Sequence, residues 1–267
     1  MRDAAIAQAT EAFSRQSAVF DAIDAANPLI GRMRALVRTA AMEHMKSGST
    51  LLELNAGTGI DSFYFAEQGV RVLATDAAPG MIAQMEAKHR MRPDLPIEVQ
   101  ACSFLELDRL GERRFDHVFS NFGGLNCTPH LDQVLHGIDR ILLPGGTCTL
   151  VIMPRFSPWE TMAFLKGHFD LAARRWRKGG SSANVEGISF TCHYFSPHFV
   201  RQHLGASYDV VAQRALSLVV PPPHMERFPV RWPRLLHVLN GIEEWIAHRW
   251  PFRNWGDHYL IQLRKRA

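Results

Sequence analysis

The 267-residue chain predicts an α/β fold built on a largely parallel sheet. Three observations carry that expectation. From residue 50 onward, short apolar runs alternate with helical segments of ~10–15 residues, the pattern of strands joined by crossover helices. The first of these runs leads straight into a glycine turn, Gly57-x-Gly59, that opens a helix. Two more strand-like segments near the C-terminus, 208–220 and 257–265, bring the set to seven.

The first 47 residues read as helices. Met33, Leu36, Val37, Ala40, Ala41 and Met45 share one helical face. Asn27-Pro28 precedes that helix and Ser47-Gly48 closes it, while Phe13 and Phe20 sit on an earlier helix or its turn. Strand TLLELNAG (50–57) is followed by a short helix closed at Gly69, strand VRVLATD (70–76), and a helix from Pro79 to His89. Strands PIEVQAC (96–102) and FDHVFSNF (115–122) come next. A helix with Leu131, Val134, Leu135 and Ile138 on one face stops at LLPGG (142–146), and TCTLVIMP (147–154) is a fifth strand.

The order then changes. Glu160–Lys178 reads as one amphipathic helix carrying Lys166, Arg174, Arg175, Arg177 and Lys178, and Gly179-Gly180-Ser181-Ser182 breaks it. GISFTCHYF (187–195) is β-like, and Ser196-Pro197 opens another helix. Pro221-Pro222-Pro223 interrupts the connection between the last two strands, which at about 37 residues far exceeds a hairpin loop. The expected organisation is one domain, 1–267: N-terminal helices (1–47), a core (48–154), and insertions at 155–192 and 221–256.

Composition narrows the class. Hydrophobic residues at 46% and charged residues at 21% exclude a disordered chain. No apolar run approaches the roughly 18 residues of a membrane span, and the N-terminus lacks a secretory core. Cys102, Cys127, Cys148 and Cys192 lie far apart with no C-x-x-C pair, so neither a disulfide framework nor a metal site is expected. A reducing, cytoplasmic setting follows. The net charge of +4 admits an anionic substrate, but without a basic stripe it gives no argument for nucleic acid.

The glycine turn carries the chemistry. Glycines between a strand and a helix N-terminus let backbone approach a ligand closely. Asp76 ends the second strand, where an acid commonly accepts hydrogen bonds from a ribose diol. Position 62 is Ser, so the third glycine of a dinucleotide fingerprint is missing, and no P-loop lysine follows.

The loop Glu53–Gly59 (ELNAGTG), Asp76 in VLATD, the strand FDHVFSNFGGLN and the LLPGG turn together resemble the class I S-adenosylmethionine-dependent methyltransferases. The resemblance covers residues 50–153 and reaches the last two strands through topology. It implies a Rossmann-like, seven-stranded, mostly parallel sheet whose last strand is antiparallel, with the two insertions forming a cap. It also implies S-adenosyl-L-methionine as cofactor. Asn55, Gly57 and Gly59 would cradle its methionine part, with Glu53 and Asn121 near the cationic end. Asp76, with Ala77 beside it, would hold the ribose. Cys102 stands where the family usually has an acid beside the adenine, so backbone at Ser103 or Phe104 would replace it.

The expected reaction is methyl transfer to an oxygen or nitrogen of a small molecule by in-line displacement. All six tryptophans lie in the insertions, where aromatic side chains often line pockets. Arg155, Trp159, His193 and Tyr194 are the substrate-binding candidates, and His130, His193 and Tyr194 the candidates for a chemical role. The basic 160–178 segment admits an anionic or carrier-bound substrate. An NAD(P)-dependent oxidoreductase and a non-catalytic nucleoside-binding regulator are the alternatives, the first disfavoured by Ser62 and by the C-terminal strand pair. Oligomeric state is not legible.

Overall fold

In the computed structural model, which describes residues 2–267, the chain is organised around a seven-stranded sheet. Its strands are β1 (Thr50–Leu54), β2 (Arg71–Asp76), β3 (Ile97–Ala101), β4 (Phe115–Ser120), β5 (Leu142–Ile152), β8 (Tyr208–Leu216) and β9 (His258–Lys265). A separate hairpin pairs β6 (Ser181–Val185) with β7 (Ile188–Cys192). The helices are α1 (Arg2–Ala26), α2 (Pro28–Met42), α3 (Ile60–Glu67), α4 (Pro79–Met91), α5 (Leu131–Ile141), α6 (Pro158–Thr161), α7 (Phe169–Ala173), α8 (Pro197–Leu204), α9 (Phe228–Arg231) and α10 (Pro233–Ile246).

Strand order is β3-β2-β1-β4-β5-β9-β8. β1 to β5 pair in parallel, and β9 is antiparallel to both β5 and β8. The expected mostly parallel sheet with a reversed last strand is the observed one. Because β9 is antiparallel to both neighbours, β8 runs parallel to β5. Ile152 faces Tyr259 across the ladder and Leu216 faces His258, so the chain leaves β5 and β8 at one edge.

Alternation along the strands builds two cores, since successive side chains point to opposite faces. Leu52, Leu54, Val118, Leu150 and Ile261 join Val134, Leu135 and Ile138 of α5 and Val200 of α8. Leu51, Phe119, Val151 and Leu260 join Met33 and Val37 of α2, Phe65 of α3 and Met85 of α4. Each such side chain contributes roughly 1.5–3 kcal/mol by leaving water.

Two expectations are corrected and one is extended. LLPGG is not a turn before β5 but lies within it, and the register with β4 shifts between Phe115 and His117. The β-like reading of 187–195 holds over Ile188–Cys192, which the structure pairs with β6 as a hairpin. Glu160–Lys178 is not one helix: α6, a 3-10 turn over Met162–Lys166, α7 and a second 3-10 turn over Arg174–Trp176 replace it. Gly167, at φ +78°, turns the chain where a helix would need negative φ. Beyond it the chain folds back, so Arg174 and Arg175 both donate to Glu160. Arg175 also reaches the Asp257 carboxylate at 2.8 Å and is buried. Arg175 is spent inside the protein, and Arg174, partly exposed, is engaged bidentately by Glu160. Arg177 pairs with Asp170 at the surface.

Candidate functional site

The carboxyl ends of β1, β2 and β4, with the chain just after β3, surround one partly open pocket with about 970 Å³ of empty space, its mouth included. Such an edge is where open α/β sheets bind ligands. Glu53, Asn55 and Gly57 come from the end of β1 and its loop, and Asp76 and Ala77 from the end of β2. Cys102, Ser103 and Phe104 follow β3, and Asn121 follows β4. Nine of the ten residues assigned to the cofactor from sequence thus meet in one place. Gly59 is outside the lining; it caps α3 in the left-handed conformation, its α-carbon facing Met85.

Asp76 is prepared as an acceptor. One carboxylate oxygen takes the Gly57 N–H at 2.8 Å and the other takes the Ala78 N–H at 2.8 Å. Each oxygen keeps a lone pair for a ligand hydroxyl. Burial raises its pKa, and the N–H groups of Ala78, Gly57 and Ala77 oppose that rise. Gly57 sits at φ +60°, and a Cβ there would come no nearer to protein than 3.8 Å, from Phe20. A side chain at 57 would therefore enter the pocket.

Glu53 is buried and accepts the Ser62 hydroxyl. Burial, with Asp61 alongside, pushes its pKa well above the usual carboxylate range, and Ser62, Arg34 and Arg38 offset only part of this. Asp61 is held by Arg34 and, at 2.6 Å, by Arg38, and it accepts from Asn121 Nδ2 at 3.0 Å. Arg34 also pairs with Asp24 of α1. Asn55 braces the loop: Ser120 donates to its side chain at 2.7 Å.

The wall opposite the sheet was not legible as a site. Ile6, Ala9, Thr10, Phe13 and Phe20 of α1 line the pocket, with Arg34 of α2 and Cys127. Their spacing (6, 9, 10, 13, 20) is one helical face, which is the signal that could have exposed them. Ser14 accepts the Gly80 N–H at 2.9 Å, and Asp21 binds Lys88 and Thr58, so α1 is pinned across the cofactor-side helices.

His130, Arg155, Trp159, His193 and Tyr194 lie outside this lining. His130 caps α5. His193 exchanges backbone and side-chain bonds with Asn126, and burial lowers its pKa with His130 adding a smaller effect. The Tyr194 hydroxyl is engaged by Ser181 at 2.7 Å, and its ring lies under the Arg175 guanidinium. Arg155 donates to the Tyr194 carbonyl at 3.4 Å. Trp159 is half-buried, its indole nitrogen unpartnered among the described residues. Hairpin strand β7 packs on α1 through Phe190, 5.7 Å from Phe13. The first insertion therefore supports the wall of the pocket from behind.

A Rossmann-like sheet of this order, with an acid-tipped β2 beside a glycine loop, is a framework for a nucleoside-containing cofactor. Residues 51–146, a little over a third of the chain, match the methyltransferase domain family. It is 28% identical over 180 residues to an uncharacterized methyltransferase of Synechocystis, a match covering 64% of this chain and 78% of that one. It is 32% identical over 141 residues to the demethylmenaquinone methyltransferase of Beutenbergia cavernae, covering 51% of this chain and 55% of the relative. The chain thus spans little more than half of that relative's length. Among solved structures it resembles the 1,6-didemethyltoxoflavin-N1-methyltransferase of Burkholderia thailandensis, which has its substrate and S-adenosylhomocysteine bound. That likeness has a TM-score of 0.52 and 22% identity over 88% of this chain and 78% of the other, and it speaks for the fold.

Proposed function

We propose that this chain binds S-adenosyl-L-methionine in the pocket at the carboxyl edge and methylates an oxygen or nitrogen of a small, largely apolar molecule. The observation that carries the reading is the pocket itself, where ribose-type acceptors at Asp76 share a cavity with an apolar wall from α1. The donor set fits the cofactor. Asp76 has free lone pairs for a diol, Phe104 and Met81 offer apolar contact for an adenine, and Ser103 offers a hydroxyl. Glu53, Asp61 and Asn121 supply anionic and polar contacts for the ammonium end, and Arg34 a cation for the carboxylate. Bound there, the cofactor supplies an electrophilic methyl on a sulfonium.

The protein's own part is alignment and exclusion of water. Holding an acceptor in line with a fixed electrophile removes much of the entropic barrier. Ile6, Ala9, Phe13 and Cys127 offer apolar contact to such an acceptor, in keeping with a relative named for a quinone-type substrate. A base is needed only where the nucleophile carries a proton of high pKa. His130 and His193 are our candidates for it. Arg155, Trp159 and Tyr194 belong to the proposal as supports of the acceptor side. A small molecule without a nucleic-acid or protein partner is the substrate class we favour.

Titration calorimetry tests the reading. Asp76→Ala is expected to lose at least tenfold in affinity for S-adenosylmethionine, since hydrogen bonds to a charged acceptor contribute about 1.5–3 kcal/mol each. The melting temperature of the variant shows whether it is folded. Unchanged affinity in a folded Asp76→Ala, or tight binding of NADH by the parent chain, would overturn the assignment.

A further inference from the structure

Helix α10 has two apolar faces, and only one is used. Leu236, Leu239, Glu243, Ile246 and Ala247 turn inward. Glu243, fully buried, accepts the N–H groups of Ser217, Leu218, Val219 and Val220 and pairs with Arg32, which locks the helix to the end of β8 and to α2. The other face carries Leu235, Val238, Ile242 and Trp245, at 45%, 55%, 42% and 61% exposure. Their spacing of three, four and three residues makes one stripe pointing away from the molecule. Trp232, Trp250 and Val230, at 50%, 76% and 84%, extend it at both ends. Contiguous exposure of this kind marks an interaction surface, whereas single exposed apolar residues do not.

The charges beside the stripe identify the partner. Arg227, Arg231, Arg234 and Arg249 are exposed, and among the described residues none has a carboxylate within salt-bridge distance. The Arg249 guanidinium lies 4.2 Å over the Trp245 ring and that of Arg231 5.7 Å from Trp232. An open groove at the start of the helix joins Phe228 and Trp232 to His224, Arg227 and Arg231, with Glu226 its one acid. The nearby Glu244 is occupied by Arg214 and Arg32. Indole rings capped by arginine, around an aliphatic stripe, match the boundary between acyl chains and anionic headgroups. A second copy of the chain fits less well, because a two-fold contact through the stripe would set these unpaired arginines against their own copies.

We infer that α10 and the 224–232 groove are a docking surface for an anionic lipid bilayer, on which the helix lies in the interface plane. The surface is next to the pocket's wall: Asn27, between α1 and α2, donates to the Pro223 carbonyl at 2.8 Å. Docking would hold α1 and α2 near the lipid, a position suited to an apolar acceptor. The inference does not depend on the methyl-transfer reading.

The experiment is flotation of the full chain with vesicles of phosphatidylcholine alone or with phosphatidylglycerol added, together with the tryptophan emission. Binding to the anionic vesicles is expected, with a blue shift and weakening by salt. Ile242→Glu with Trp245→Glu is expected to abolish it, and Arg231→Gln with Arg234→Gln to weaken it by about thirtyfold. All four positions are exposed, so melting temperature and S-adenosylhomocysteine affinity should remain as in the parent. That invariance separates failure of docking from failure of the cofactor reading. No binding to anionic vesicles, equal binding by the Ile242→Glu/Trp245→Glu variant, or a stable dimer in sedimentation equilibrium that this variant dissolves would each overturn the inference.

Discussion

Glu53 is the residue whose chemistry departs most from what its type implies. It is buried against Asp61, and the proton it holds in the folded chain is one that the unfolded chain releases at ordinary carboxylate pH. Its pKa is raised on folding. Its contribution to stability is therefore complete below the usual glutamate range and is lost as pH rises through the raised value. Glu53→Gln should flatten that decline, measured by urea unfolding across a pH series. A cation entering the pocket should expel the same proton. Affinity for S-adenosylmethionine is then expected to rise with pH, with proton release visible by calorimetry in two buffers, and the Gln variant should show neither. Gly57 gives a simpler test. At φ +60° a β-branched side chain costs about 1–2 kcal/mol or more in strain, and its methyls would occupy the pocket. Gly57→Val should fold with a lower melting temperature and bind no cofactor detectable by calorimetry.

At the scale of elements, the first insertion is held by charge as much as by apolar packing. Arg175 is buried between Glu160 and Asp257 and also donates to the Pro154 and Asp257 carbonyls. Burial would raise the Asp257 pKa, but His258 and Arg175 outweigh it and hold the carboxyl well below its ordinary range. Replacing Arg175 with Leu leaves Asp257 without its guanidinium and costs about 3–5 kcal/mol, the usual penalty for breaking a buried pair from one side. Thermal unfolding should show that loss, whereas Arg177→Leu, at an exposed pair, should change stability by less than about 1 kcal/mol. Helix α1 works differently. Its inward face reaches the pocket while Asp21 and Ser14 tie it to Thr58 and Gly80 of the core, and Asp24 ties it to Arg34 of α2. A helix read from sequence as mere N-terminal structure is thus part of the site.

For the whole molecule, the sheet order matters more than any single element. Placing β1 beside both β2 and β4 brings Glu53, Asp76 and Asn121 to one edge, although they are far apart in sequence. A ligand gripping all three ends binds only the folded chain, so it stabilises the molecule by mass action. S-adenosylhomocysteine at a hundred times its dissociation constant should raise the melting temperature by roughly 5–10 °C, and NADH at the same concentration should not. Equal shifts from both would favour the oxidoreductase reading set aside at the glycine loop.

What the sequence determined by itself is the part governed by local rules. Period-two runs gave the strands, glycine and proline gave the breaks, and the strand–glycine–helix unit with an acid at the next strand's end located one half of the pocket. These signals are local because backbone geometry is set by neighbours along the chain. Tertiary structure decided the rest. The run Glu160–Lys178 has helical composition, yet its buried partners, Asp257 above all, come from the far end of the chain, and satisfying them outweighed continuing a helix. Phe13 and Phe20 become pocket wall only because α1 crosses α4 and β7, and Trp245 turns outward because Glu243 fixes which face of α10 is inside. Which side of an amphipathic segment meets protein is set by partners distant in sequence, and no period along the chain encodes it.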